Sequence, residues 1–228
     1  MIRGENLSKA FGSQLIFHDV SFQIPDGEVV GFYGESGIGK STLAKILCGV
    51  LKPDSGSVYL DGDKIFSSET PYDRKKGIQI QMVYQQPYAS LDHNQKIIRG
   101  FYELIRYHRF AASKAEAERL ITGLMEEVGL DRAILNHLPH QISGGEAQRI
   151  SIAKCLLFSP RLLIMDEATS MLDVSTQANV IALVRRVMLN QGGSILLISH
   201  DKELVKSLCD QIYVFDKKEL YVKERKTI

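Results

Sequence analysis

Nine residues, Gly34-Glu35-Ser36-Gly37-Ile38-Gly39-Lys40-Ser41-Thr42, constrain this chain more than any other stretch. They satisfy the pattern G-x-x-x-x-G-K-[ST]. Glycines at those positions let successive backbone N–H groups turn inward around phosphate oxygens, a lysine reaches the outer phosphates, and a hydroxyl suits magnesium. The flanks match that use. Glu28–Tyr33 reads as a buried strand, and Ser41–Val50 reads as a helix with Leu43, Ile46, Leu47 and Val50 on one face. A helix starting near Lys40 points its positive N-terminal end at the same anion. Strand, glycine loop and helix together predict a nucleoside triphosphate as ligand.

Composition narrows the rest. The chain has 228 residues and a net charge of +1, so no global electrostatic signal points to nucleic acid or an anionic surface. Cys48, Cys155 and Cys209 are scattered, with no C-x-x-C pair, which reads as small core residues rather than a disulfide framework or a zinc site. The N-terminus lacks a signal-peptide core, and no apolar run approaches the ~20 residues of a spanning helix. A soluble cytoplasmic chain is expected, and any membrane role requires other subunits to supply the spans.

Strand signals dominate from Met1 to about Gly62, through Leu15–Ile24 and Ser57–Leu60, and Ile78–Tyr84 is a further strand candidate. Between Leu91 and Leu138 helical periodicity takes over, with Ala117, Leu120, Ile121, Leu124, Met125 and Val128 expected on one face. A second α/β stretch follows. It holds a helix after Ser143-Gly144-Gly145, an apolar strand Leu162–Met165, an amphipathic helix Val174–Leu189 (inward face Val174, Ala178, Ile181, Val184 and Met188) and a buried strand Ser194–Ile198. This alternation predicts an α/β fold with a mostly parallel sheet covered on both faces and an inserted helical segment. The expected organisation is one domain over 1–228: a core from 1–90 and 143–228, and a helical subdomain over 91–142.

Chemistry collects at strand ends. Asp166 closes an apolar strand, where a carboxylate can hold magnesium beside Ser41. Glu167 follows on the other side of the strand and is expected to activate water. His200 ends the next strand, where an imidazole can contact the terminal phosphate or orient that water. Ser143-Gly144-Gly145-Glu146 opens another helix, with serine as N-cap and glycines allowing close approach. It is a second anion-binding helix start, and one nucleotide cannot easily use both if the helical insert holds them apart. A dimer resolves this, with each nucleotide held between one chain's phosphate loop and the other chain's Ser143 segment.

These motifs, in this order, resemble the nucleotide-binding subunit of an ATP-binding cassette (ABC) transporter over essentially the whole chain. The resemblance implies a P-loop NTPase fold with an N-terminal antiparallel β subdomain, ATP and Mg²⁺ as cofactors, and ATP hydrolysis as the activity. It makes Phe11 the aromatic that stacks on adenine, Gly34–Thr42 the Walker A loop with catalytic Lys40, and Gln85 the glutamine that contacts magnesium and senses the membrane subunit. Ile142 to Glu146 is the signature segment, acting in trans. Asp166 and Glu167 are the Walker B carboxylate and the catalytic base, Ser170–Asp173 the D-loop, and His200 the switch histidine. The magnesium set is Ser41, Gln85 and Asp166. Four positions depart from the family pattern: Phe11 for the commoner Tyr, Ile142 for Leu, Glu146 for Gln, and Ala168 for Pro.

A narrower resemblance, through Met82–Leu91, Leu138–Gly145 and Leu172–Ala178, is to the oligopeptide, dipeptide and nickel import branch. It implies transmembrane permease subunits, a second and commonly different ATPase subunit, an external binding protein, and a place at the cytoplasmic face of the membrane. The absence of an extension beyond Ile228 resembles nickel or metal-chelate members. The alternatives are a soluble non-transport ABC ATPase of DNA repair or translation, or an exporter-type subunit; near-zero net charge argues against nucleic acid.

Overall fold

A computed structural model describes residues 1–168, 174–217 and 219–225, without side chains for 174–176 and 223–225. The elements begin with strands β1 (Ile2–Phe11), β2 (Gln14–Ile24) and β3 (Val29–Tyr33), then helix α1 (Lys40–Leu47). Strands β4 (Ser55–Leu60) and β5 (Asp63–Ser67), the short helix α2 (Arg74–Gly77) and strand β6 (Ile80–Val83) follow. Helices α3 (Ile97–His108), α4 (Lys114–Glu127) and α5 (Gly144–Leu156) lead to β7 (Leu162–Asp166). The chain continues through α6 (Val174–Asn190), β8 (Ser194–Ser199), α7 (Lys202–Leu208), β9 (Gln211–Asp216) and β10 (Glu219–Arg225).

Two compact units result. The first comprises Met1–Met82, Pro160–Glu167 and Met188–Ile228; the second comprises Val83–Ser159 and Ala168–Val187. The helical unit thus takes in α5 and most of α6 as well as the 91–142 segment.

The first unit is built on two sheets. Strands β2-β1-β4-β5 form an antiparallel sheet, and β10-β9-β3-β8-β7-β6 form the larger one. Within the larger sheet β3, β7, β8 and β9 run parallel, and β10 returns antiparallel on its edge. The wholly apolar runs of β3, β7 and β8 are buried, as strands covered on both faces must be. Phe32 of β3 anchors the core, with edge-to-face contacts to Phe22 at 5.2 Å, Tyr213 at 5.7 Å and Phe215 at 5.9 Å. Helix α1 turns Leu43, Ala44, Ile46 and Leu47 into the same core.

Register is what positions function. Tyr33 pairs with Ser199 and Asp166 with Ile198, so β3, β7 and β8 stop at one edge of the sheet. Gly34, Glu167 and His200 therefore leave three adjacent strands side by side.

Gly31 shows how closely α7 is seated on β3. A Cβ there would lie 2.5 Å from Val205 Cγ1 and 2.8 Å from Cys209 Sγ. Gly31→Ala is expected to lose about 1–3 kcal/mol of stability by overpacking, read as a lower denaturation midpoint in urea.

In the second unit α3 buries Ile97, Phe101 and Ile105. Helix α4 is capped by Ser113, whose hydroxyl accepts from the Glu116 N–H at 3.2 Å, and buries Ala117, Ile121, Leu124 and Met125. Several face assignments change. Leu120 is 37% exposed, because the buried stripe of α4 follows an i, i+4, i+7 line that leaves position 120 at its margin. Val50 is 58% exposed: α1 ends at Leu47, and Gly49 at φ 69° turns the chain before the periodicity can continue. In α6 the inward face is Val180, Ile181, Val184, Val187 and Met188, with Ala178 exposed. Cys155 and Cys209 are buried as expected, whereas Cys48 is half-buried at the end of α1; none of the three is joined in a disulfide.

Strand β5 goes beyond the sequence reading. Asp61 and Gly62 both have positive φ (51° and 88°), and Leu60 pairs with Asp63 across them. That is the two-residue turn of a tight hairpin, and it brings a second strand rather than closing one.

Candidate functional site

The phosphate-loop segment leaves β3 at Gly34 and enters α1 at Lys40. Glu35, Ser36 and Gly37 are exposed, whereas Gly34, Gly39 and Lys40 are buried. Gly37 and Gly39 take φ of 81° and 121°, values that other residues rarely adopt. Gly39 also rests directly on β2: a Cβ there would meet Ile16 Cγ2 at 2.8 Å and Phe17 Cδ1 at 3.2 Å. The β1–β2 hairpin thus borders the loop. Phe11, at the end of β1, is 49% exposed, and the Lys9 ammonium lies 5.6 Å from its ring centroid. An exposed aromatic ring on that hairpin is suited to stacking on a flat base.

Lys40 folds back over the loop. Its ammonium donates to the carbonyls of Gly34 and Glu35, each at 2.7 Å. Burial lowers its pKa, opposed by the Glu167 and Asp166 carboxylates. Ser41, on the first turn of α1, donates its hydroxyl to Asp166 Oδ1 at 2.9 Å. Burial raises the Asp166 pKa; the Ser41 hydrogen bond opposes that shift and the Glu167 charge adds to it. Two hard oxygen donors in contact, one of them a buried carboxylate beside a lysine, are the donor chemistry magnesium prefers when it shares its shell with phosphate and water. These residues fit that ion.

Glu167 sits where β7 ends. Its N–H donates to Ile198 O of β8 at 3.1 Å, and its φ is 48°, a left-handed conformation unusual for glutamate. Its Oε1 lies 3.2 Å from His200 Nδ1. His200 is held in its turn from both sides. The Asp201 N–H donates to Ser199 Oγ at 3.0 Å, and the Asp201 carboxylate caps α7 by accepting from Glu203 and Leu204 N–H. The structure therefore brings Lys40, Ser41, Asp166, Glu167 and His200 to one sheet edge. Sequence reasoning passed over Ser199 and Asp201, although an Asp before a helical run is an N-cap signal.

Gln85 and the Ser143 segment belong to the second unit. Gln85 is exposed, between β6 and a 3₁₀ turn at Pro87–Ser90. Ser143 is the N-cap of α5, and its hydroxyl accepts from the Glu146 N–H at 3.3 Å. Glu146 reaches back: its Oε2 accepts from the Ser143 N–H at 2.8 Å and from the Ser143 hydroxyl at 2.7 Å. These bonds, the backbone one foremost, hold the Glu146 carboxyl below its ordinary pKa. Asp173 and the rest of Ser170–Asp173 lie outside the described residues.

The family profile described as ABC transporter matches residues 17–170. The oligopeptide transport ATP-binding protein OppF of Haemophilus influenzae is 36% identical over 196 residues, 86% of this chain and 59% of that protein. OppF of Bacillus subtilis is 37% identical over 200 residues, 86% of this chain and 65% of that protein. The nickel import ATP-binding protein NikE of Escherichia coli O6:K15:H31 is 34% identical over 203 residues, 89% of this chain and 75% of that protein. The chain thus spans about three fifths of the length of the OppF relatives. Among solved structures, a dimeric ATP-binding cassette in a post-hydrolysis state with ADP and Pi superposes with a TM-score of 0.84 at 26% identity, covering all of both chains. The cbiO1 subunit of the cbiONQ ABC transporter complex of Clostridium perfringens gives 0.83 at 25% identity, covering 96% of this chain and 86% of that one.

Proposed function

The chain belongs to the ABC transporter family, and from that premise we propose that it is the ATP-binding and ATP-hydrolysing subunit of an importer for peptides or for nickel or metal chelates. The observation that carries the reading is the single sheet edge at which the glycine loop, the Ser41–Asp166 contact and the Glu167–His200 pair meet.

ATP lies with its phosphates over Gly34–Thr42 and its adenine on Phe11. Lys40 exchanges two carbonyl acceptors for charged phosphate oxygens, a stronger pairing. Ser41 and Asp166 would hold Mg²⁺, which would neutralise phosphate charge when bound. Glu167 accepts a proton from the attacking water, and His200 orients it. The second half of each site is the Ser143–Glu146 segment of another cassette, so two cassettes close on two ATP molecules. The partner is proposed to be a different cassette. Asp173 is proposed to be the D-loop aspartate, and 91–142 to be the subdomain that carries the signature.

Among the described residues no helix is long and apolar enough to cross a membrane. Transport therefore requires permease subunits, which place the chain at the cytoplasmic face, with a binding protein delivering cargo outside. A groove of about 600 Å³ in the second unit is the proposed seat for a short permease helix; Leu91, Ile97, Gly100, Leu104, Tyr107 and Lys154 line it. Tyr107 is 82% exposed, and Lys154 donates to Ser90 O at 2.7 Å. Gly100→Phe is expected to fill the groove and abolish co-purification of membrane subunits while ATP binding stays within twofold. Unchanged co-purification would place the contact elsewhere. The reading as a whole is tested by purifying the tagged chain from membranes: Mg²⁺-dependent ATP hydrolysis in a complex with integral membrane proteins is expected, and a chain that carries none of them sinks it.

A further inference from the structure

Ser143 offers two hydrogen-bond donors, its N–H and its O–H, and both converge on one oxygen, Glu146 Oε2, at 2.8 and 2.7 Å. A hydroxyl has one proton, so while it points at Glu146 it cannot also donate to a phosphate. The carboxylate is held low in pKa by these same bonds, so it is ionised at neutral pH. Arg149 adds a smaller favourable charge, and its guanidinium donates to the carbonyls of Gly145 and Gly129, each at 3.4 Å.

We propose that Glu146 is a built-in competitor for the terminal phosphate: its carboxylate takes the donors that the α5 helix start would offer to ATP bound on a facing cassette. This rests on the reading of Ser143 as the segment that completes a partner's site. Closure must detach the Ser143 hydroxyl from a charged acceptor, a bond roughly twice as strong as a neutral one, and must bring a carboxylate toward a polyanion. ATP held by this chain's own phosphate loop escapes the effect if the partner lacks such a carboxylate. The two nucleotides of a mixed pair are then bound unequally, the looser one facing this chain's Ser143.

Glu146→Gln separates this role from helix capping, because glutamine completes the same capping box. It also removes the charge and adds N–H donors. In the complex purified through a tag on this chain, Glu146→Gln is expected to lower the KM for ATP about 5–10-fold. The kcat is expected to change less than twofold and the melting temperature less than about 2 °C. A capping role alone predicts an unchanged KM, and an unchanged or raised KM overturns the inference. That result leaves the proposed function standing if Ser143→Arg, which fills the helix start, still silences hydrolysis. Hydrolysis indifferent to Ser143→Arg overturns both.

Discussion

Glu167→Gln is expected to reduce ATP hydrolysis by the assembled protein by about 10²–10⁴-fold, the range for removal of a positioned general base, while ATP remains bound. Glutamine matches glutamate in shape, so it can keep the position between Ile198 O and His200 Nδ1 but cannot take a proton. The backbone at Glu167 reinforces the assignment. A left-handed φ of 48° for a non-glycine residue is strained by about 1–3 kcal/mol. The turn it makes directs Oε1 to the same edge as Lys40 and Ser41, beyond the end of β7. Single-turnover hydrolysis in the presence of Mg²⁺ reads the chemical step without product release. A decrease of less than about tenfold would remove Glu167 from the base role. If His200→Ala then proved the more damaging change, the imidazole would take over the role.

The site was legible in the sequence because each functional residue ends a run that has no other use for it. Leu162–Met165 and Ser194–Ile198 are apolar enough to be central strands, so the polar residues that stop them fall at the sheet edge. The loop glycines identify themselves by spacing. What the sequence did not carry is mostly a matter of partners far along the chain. The register that sets Asp166 opposite Ile198 and Tyr33 opposite Ser199 depends on which strands neighbour β3, and strand pairing leaves no local mark. The bond from Glu146 to Ser143 was readable as a capping pattern, yet its bearing on phosphate binding emerges only when both Ser143 donors reach one oxygen. On α6 the expected Ile181, Val184 and Met188 are buried, and only Ala178 was misplaced, because a small apolar residue fits a periodic stripe as well as it fits an exposed face.

Gly39 and Gly37 look alike in the sequence, and replacing each with alanine is expected to have very different consequences. At Gly37 the φ of 81° is unfavourable for alanine, but nothing lies within 4 Å of the added methyl. Gly37→Ala should lose about 1–2 kcal/mol of stability from left-handed strain alone and weaken ATP binding only a few-fold. At Gly39 the φ of 121° lies outside the small left-handed region open to alanine, and the methyl would meet Ile16 Cγ2 at 2.8 Å and Phe17 Cδ1 at 3.2 Å. Phe17 is fully buried and packs edge-to-face on Phe215 at 6.3 Å, so it cannot retreat without opening the core. Strain and overpacking together predict a loss of about 2–5 kcal/mol. Because Gly39 is the N-cap of α1, the same displacement shifts Lys40 and Ser41 off the phosphates, and ATP affinity should fall by at least about 100-fold. Thermal melting with and without ATP separates the two effects. Gly37→Ala should melt slightly lower than the parent and still gain stability from ATP, whereas Gly39→Ala should melt far lower and gain none. Equal melting and equal ATP stabilisation of the two variants would mean that the contact with β2 does not set the loop.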